Sequence, residues 1–351
     1  MDNIMDTPKL TILPEHLKLI AEIDEFKGKW TSLRRISPDR LQSLKKIASI
    51  ESIGSSTRIE GARLSDREVE ELLSGLQLTS FKSRDEEEVA GYAEVMQLVF
   101  DSYDQITVTE NHIKQLHRDL LKFSSKDSRH RGEYKTLPNH VEAFDADGKS
   151  LGIIFETASP FDTPRKMEQL ILWFNRAREE AELHDFLLVA IFIVHFLAIH
   201  PFQDGNGRLS RILTTLLLLQ GGYEYVQYSS LERIIEENRD QYYLSLRKAQ
   251  QTIESDHSML NFWISFFLRS LRKQVSILES KLRYEKLALP IPPLSQEILR
   301  IVKNRGRVTI KEAVNLTGSN RNTVKSHIRR LVRDGRLEQM GVGKGTWYRE
   351  V

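Results

Sequence analysis

Residues 200–211 read His-Pro-Phe-Gln-Asp-Gly-Asn-Gly-Arg-Leu-Ser-Arg and lie between two apolar runs that suit helices. No other stretch limits the fold so narrowly. An apolar helix precedes the Gly-Asn-Gly bend, and a second helix-forming run follows it. Gly205 and Gly207 let the backbone curl its N–H groups toward one point, and the next helix aims its positive end there. Such a cradle binds phosphate. Arg208 and Arg211, three apart, share a face of the first helical turn and can hold further phosphate oxygens. Asp204 is an oxygen ligand of the kind a nucleotide-bound Mg²⁺ needs, and His200 is a base that titrates near neutrality. Together these residues point to nucleotide-dependent group transfer.

The run also resembles the signature of the Fic (filamentation induced by cAMP) domain, HxFx(D/E)GNGRxxR. His200, Phe202, Asp204, Gly205, Asn206, Gly207, Arg208 and Arg211 fill every specified position. The resemblance implies a mainly α fold, a helical Fic body with a β-hairpin flap, that moves AMP from ATP onto a Ser, Thr or Tyr hydroxyl of a target protein. His200 would take the hydroxyl proton and Asp204 would hold Mg²⁺. Gly205, Asn206 and Gly207 would cradle the phosphates with the adjoining Leu209 and Ser210, while Arg208 and Arg211 would bind the outer oxygens.

Upstream, Ser56-Thr57-Arg58-Ile59-Glu60-Gly61 fits (S/T)xxxE(G/N), which resembles the inhibitory helix of self-restrained Fic proteins. Ser56 and Glu60 are four apart and share a helical face, and Gly61 suits a helix end. The resemblance implies that Glu60 pairs with Arg211 and keeps ATP in an unproductive pose. In residues 130–160, Gly132, Pro138 and Asp147-Gly148 separate short β-type runs, a hairpin pattern with its turn near 147–148. A hairpin there resembles the Fic flap; the Gly132-Glu133-Tyr134-Lys135-Thr136 segment resembles its start, and Asn139, His140, Val141 and Glu142 would line the nucleotide. Tyr242 and Tyr243 resemble a paired-aromatic position near the adenosine, although aromatics at helical spacing also suit a core, as does His195 as a satisfied core histidine. Gln250 is a further candidate.

Helical spacing predicts helices over 17–26, 38–49, 66–75, 86–103, 109–121, from Thr163 through Trp173, and over 184–200, 209–220, 235–250 and 263–286. Ser65 and Glu68 form a capping-box pattern. After a Pro-rich stretch at 289–293, the tail reads helix, short helix, turn, helix and two strands, which resembles a winged helix-turn-helix. The expected organisation is 1–85 with the inhibitory helix, 86–275 as Fic core, 276–293 as helix end and linker, and 294–351 as winged helix.

The net charge of +2 hides an imbalance: residues 300–351 carry thirteen Lys and Arg against four Asp and Glu. Such a tail suits a polyanion, and duplex DNA is the expected partner. Asn320, Arg321, Asn322, Thr323, Lys325 and Ser326 sit where a recognition helix would read base edges or phosphates, with Lys344 in the wing and Arg305, Arg307 and Arg349 nearby. The absence of cysteine excludes disulfides and thiolate chemistry. The apolar run 186–199 is short for a membrane span, and the first residues do not resemble a secretory signal, so no membrane partner and a cytoplasmic location are expected. A homodimer would suit a palindromic DNA site. Two other functions remain open: an AMP-removing hydrolase in which Glu60 aligns water, and a DNA-binding regulator whose Fic body senses nucleotide.

Overall fold

The computed structural model describes residues 5–8, 10–33, 38–75, 81–144, 150–288 and 292–350. The chain forms two compact units, Met1–Ile277 and Leu278–Val351. It is mainly helical, with one antiparallel hairpin in each unit.

The first unit opens with α1 (Pro14–Leu33), α2 (Pro38–Ile59), α3 (Asp66–Ser74), α4 (Arg84–Ser102) and α5 (Glu110–Leu120). Helix α2 runs well past the 38–49 expected from spacing, because residues 52–57 are buried all round and no single apolar stripe marks them. Ser65 caps α3 in a capping box with Glu68, as its spacing predicts.

Strands β1 (His140–Phe144) and β2 (Ser150–Glu156) pair antiparallel, with register shifts after Val141 and after Ala143. The expected turn at Asp147-Gly148 and the Pro-rich residues 289–291 lie outside the described residues. The Gly132–Thr136 segment does not open the hairpin. Tyr134 instead bridges Phe202, and the Lys135 N–H donates to the Pro201 carbonyl at 2.8 Å, which ties the segment to the signature loop.

Helix α6 (Thr163–Glu179) continues past Trp173 because Phe174 and Ala177 extend its buried face. The centre of the unit is α7 (Asp185–Ile199), whose residues 186–199 are all buried and which packs on α6 and on α8 (Asn206–Gln220). Burying a helix on every side explains a sequence that is apolar from 186 to 199 apart from His195. Helix α8 begins at Asn206 rather than Leu209, since Gly205, at φ +79°, already serves as its N-cap. The expected helix 235–250 is in fact two, α9 (Leu231–Glu237) and α10 (Arg239–Gln251). Asn238 separates them: its side-chain amide donates to the Ile234 carbonyl at 2.8 Å while its own carbonyl accepts from the Tyr242 N–H. A long helix, α11 (Leu260–Ala288), follows.

The second unit holds α12 (Pro293–Arg305), α13 (Ile310–Thr317) and α14 (Arg321–Arg333), then β3 (Leu337–Met340) and β4 (Trp347–Glu350). Its core gathers Ile298, Val302, Val308, Ala313, Val324, Ile328, Leu331, Leu337 and Tyr348. Val308 and Tyr348 also pair by backbone hydrogen bonds in both directions at 2.8 Å, which adds a third short edge to the hairpin. No described helix is long and apolar enough to cross a membrane.

Candidate active site

Helix α7 cannot pass Pro201, which disfavours helical backbone at the residue before it. His200 therefore turns into the left-handed region at φ 52°, ψ 60°, as the helix C-cap. A side chain with a Cβ is strained there, and the loop holds it in place. Asn206 does much of the holding: its Oδ1 accepts from the Phe202 N–H at 2.9 Å, and its Nδ2 donates to the Phe202 carbonyl at 2.7 Å. Asn139 adds a bond to the same carbonyl at 2.7 Å. In turn, Asn139 Oδ1 accepts from the buried Lys135 ammonium at 2.8 Å, which also reaches Thr157 at 2.8 Å and the Ile199 carbonyl at 3.0 Å. The side chains of Asn206 and Asn139 thus shape the bend from behind.

His200 Nδ1 lies 3.3 Å from the Leu197 carbonyl, which only accepts, so Nδ1 carries the proton and Nε2 keeps its lone pair. Loss of hydration, helped by the Lys135 cation, lowers the imidazole pKa to about 4. The ring is neutral at pH 7 and ready to accept a proton. Lys135 itself is lowered to about 8 by burial and by the neighbouring Lys166.

No side chain caps α8, so the N–H groups of its first turn face the bend unshielded. Glu60, just past the end of α2, fills that place. Its carboxylate sits so close to Gly207 that a Cβ there would collide with it. Glu60 Oε1 also accepts from Arg211 Nη2 at 2.8 Å. Arg211 reaches the other motif residue as well, donating to Ser56 Oγ at 2.7 Å and to the Ser56 carbonyl at 2.9 Å. Burial, the largest single influence, opposes the Arg211 charge, but Glu60 together with Tyr242 and Tyr92 outweighs it and raises the guanidinium pKa. Arg58, inside the same motif, fixes the end of α2 through a two-point pair with Glu236 at 2.6 and 3.0 Å.

The opposite wall is a closed ring of ion pairs. Asp204 Oδ1 accepts from the Gly205 N–H at 2.6 Å and from Arg208 Nη2 at 3.2 Å, and Asp204 Oδ2 accepts from Arg84 Nη2 at 3.0 Å. Arg84 Nε donates to Glu88 at 2.8 Å, and Glu88 lies 3.1 Å from Arg208 Nη1. Burial works against ionisation of Asp204, but Arg208, the Gly205 N–H and Arg84 prevail and hold its pKa below the usual carboxylate value. Behind the ring, His117 stacks on Phe202 at 3.8 Å, donates from Nε2 to the Asp204 carbonyl at 2.9 Å and accepts the Gly132 N–H at Nδ1, also at 2.9 Å. Arg84, Glu88 and His117 carry no motif, and their roles follow only from tertiary packing.

Other candidates are placed as follows. Leu209 is core, and Ser210 donates back to the Gly207 carbonyl at 2.7 Å. Tyr242 is buried against Trp263 and Phe266 with Arg211 and Ser210 beside its hydroxyl, whereas Tyr243 is half-buried with Arg239 over its ring. Gln250 is buried. His140, Val141 and Glu142 lie on β1, and their side chains, like that of Lys344, lie outside the described residues. His195 is a core histidine but not a satisfied one, since its buried Nε2 has no hydrogen-bond partner. In the second unit Asn320, Arg321, Asn322, Thr323, Lys325 and Ser326 are all exposed on α14, with Asn320 as N-cap. Arg349 is instead paired with Glu338 at 2.8 Å across the hairpin, and Arg307 lies over Trp347.

Residues 107–218 match the Fic/DOC family. The chain carries a Fic domain. Residues 293–338 match a winged helix-turn-helix DNA-binding family, and the tail is a winged helix. The protein adenylyltransferase Fic of Drosophila melanogaster is 29% identical over 249 residues, 70% of this chain and 44% of that protein. This chain therefore spans less than half the length of its curated relatives. A Fic family protein from Desulfovibrio desulfuricans G20 shares the fold over 99% of this chain and 98% of its own, at TM-score 0.64 and 22% identity. A Fic domain signalling protein from Bacteroides thetaiotaomicron covers 75% of this chain and 97% of its own, at TM-score 0.61 and 24% identity.

The Fic domain also carries an acid-sensitivity prediction. Burial lowers His117 and His200 to about 4 and His195 to about 3. The unfolded chain, with histidines near 6.5, binds protons first on acidification. The stability these groups supply is complete above pH 6.5 and is lost as pH falls toward 4, by about 1.4 kcal/mol per unit for each group. Denaturant midpoints should therefore drop between pH 7 and pH 5. His117→Gln keeps one donor and one acceptor without titrating and should shrink the drop; an equal drop in that variant refutes the assignment.

Proposed function

We propose that the chain is a self-restrained protein adenylyltransferase using Mg·ATP. The hydroxyl oxygen of a target Ser, Thr or Tyr attacks the α-phosphorus, the bond from that phosphorus to the bridging oxygen breaks, and pyrophosphate leaves. His200 Nε2 takes the hydroxyl proton. The α8 N-terminus and Arg211 neutralise the phosphates, so the reaction rests on positioning and charge. Asp204 suits Mg²⁺, being an ionised carboxylate beside the phosphate cradle, where such a cation takes one protein ligand plus phosphate oxygens. When bound, Mg²⁺ would offset charge on the α- and β-phosphates.

The observation that carries the reading is the Glu60 carboxylate seated against Gly207 and bonded to Arg211, an internal anion in an anion cradle. The test is transfer of label from α-³²P-ATP to protein in a cell lysate, by wild type and by Glu60→Gly. Labelled bands that depend on His200 support the reading, and no labelling by either protein refutes it.

We further propose that the winged helix binds duplex DNA. Lys325, Arg329 and Arg333 project from one exposed face of α14, with Asn322 and Ser326 between them. DNA affinity should fall steeply with salt, and Lys325→Ala or Arg329→Ala should each reduce the log–log slope by about one. Salt-independent binding would favour a protein partner.

A further inference from the structure

We propose that Arg84 is a positioning residue that holds the cation's place at Asp204 and yields it when a divalent cation arrives. The inference rests on the reading of Asp204 as the cation ligand. Asp204 has one oxygen to offer. Its Oδ1 is already committed to the Gly205 N–H and to Arg208. Only Oδ2 is left, and Arg84 Nη2 lies 3.0 Å from it. A dication and a guanidinium cannot share that oxygen without strong repulsion, since like charges a few ångströms apart interact strongly at a partly dry site.

One of the two arginines must therefore give way, and exposure decides which. The Arg208 side chain is 2% exposed and lies between Asp204 and Glu88, whereas that of Arg84 is 46% exposed. Arg84 would not leave entirely, because its Nε stays bonded to Glu88 at 2.8 Å and Glu88 is largely buried. Glu88 thus acts as a pivot. The ring of two carboxylates and two guanidiniums is neutral as it stands, so Asp204 is kept ionised and aimed before any cation enters. Without nucleotide, Glu60 stands in for phosphate and Arg84 for the metal, and the site is complementary to a ligand pair it does not yet hold.

The test measures ADP affinity by calorimetry on the full chain, with and without Mg²⁺. ADP is chosen because it lacks the γ-phosphate with which Glu60 would compete. Arg84→Ala should widen the gain in ADP affinity produced by Mg²⁺ roughly three- to tenfold, and Arg84→Lys should lie between it and wild type. An arginine with a merely structural role would not produce tighter cation-dependent binding on removal. Asp204→Asn should abolish the Mg²⁺ effect. A Mg²⁺ effect lost in Asp204→Asn, yet no wider in either Arg84 variant than in wild type, overturns the proposal for Arg84 alone. A Mg²⁺ effect that survives Asp204→Asn overturns the metal reading beneath it. If Arg84→Ala does not fold, Arg84→Lys decides the matter by the same comparison.

Discussion

Glu60→Gly should raise AMP transfer about ten- to hundredfold over wild type. The carboxylate makes a charge-assisted hydrogen bond to a guanidinium that is 4% exposed, a bond of about 1.5–3 kcal/mol. ATP must displace it to reach Arg211, and each 1.4 kcal/mol is a factor of ten. Deleting the carboxylate also opens the space over Gly207 that a phosphate would fill. The same change has a second consequence of opposite sign. Arg211 then keeps a buried charge without its carboxylate partner, so the nucleotide-free variant should melt below wild type, and ATP should restore more stability to it than to wild type. Initial rates of label transfer and thermal melts with and without ATP check both halves. A variant that is equally active and equally stable would remove the inhibitory role.

The other large effect is at His200. His200→Ala in the Glu60→Gly background should cost about 10²- to 10⁴-fold in transfer rate while ATP binding persists, because the ring moves a proton and does not hold phosphate. Its pKa, lowered to about 4, sets the pH dependence. The base is active when neutral, so kcat/KM should stay level as pH falls from 7 to 5 and decline only as pH approaches 4. An ordinary imidazole would lose activity near 6.5. A decline centred near 6.5 would refute the lowered pKa, and transfer undiminished in His200→Ala would exclude the ring as the base.

What the sequence discloses about the site depends on how local each contact is. His200 to Arg211 is legible because the turn that shapes the cradle and the groups that line it are contiguous. Ser56 and Glu60 are legible as a pair by their spacing, but not the way α2 runs on to present them, since burial on all sides erases the periodic stripe. The ring around Asp204 is not legible at all. Arg84 and Glu88 share a helical face like many solvated ion pairs, and only folding brings them to residues 204 and 208. His117 was equally hidden, and Asn238 breaks a helix through a side-chain bond that helical spacing does not register. Expectations for the winged helix succeeded because its elements are short, separately capped and apolar on one face.

Helix α2 packs along α9, α4 and the 3₁₀ turn at Glu224–Tyr228, and the Arg58–Glu236 pair anchors its end. On the proposed reading, the Glu60 carboxylate is thus continuous with the body whose active centre it would restrain. Brake and engine would then be made together in a fixed one-to-one ratio, and no change in expression level would tip the balance between them. Release would come from within each molecule, by a side chain swinging aside rather than by a subunit drifting away.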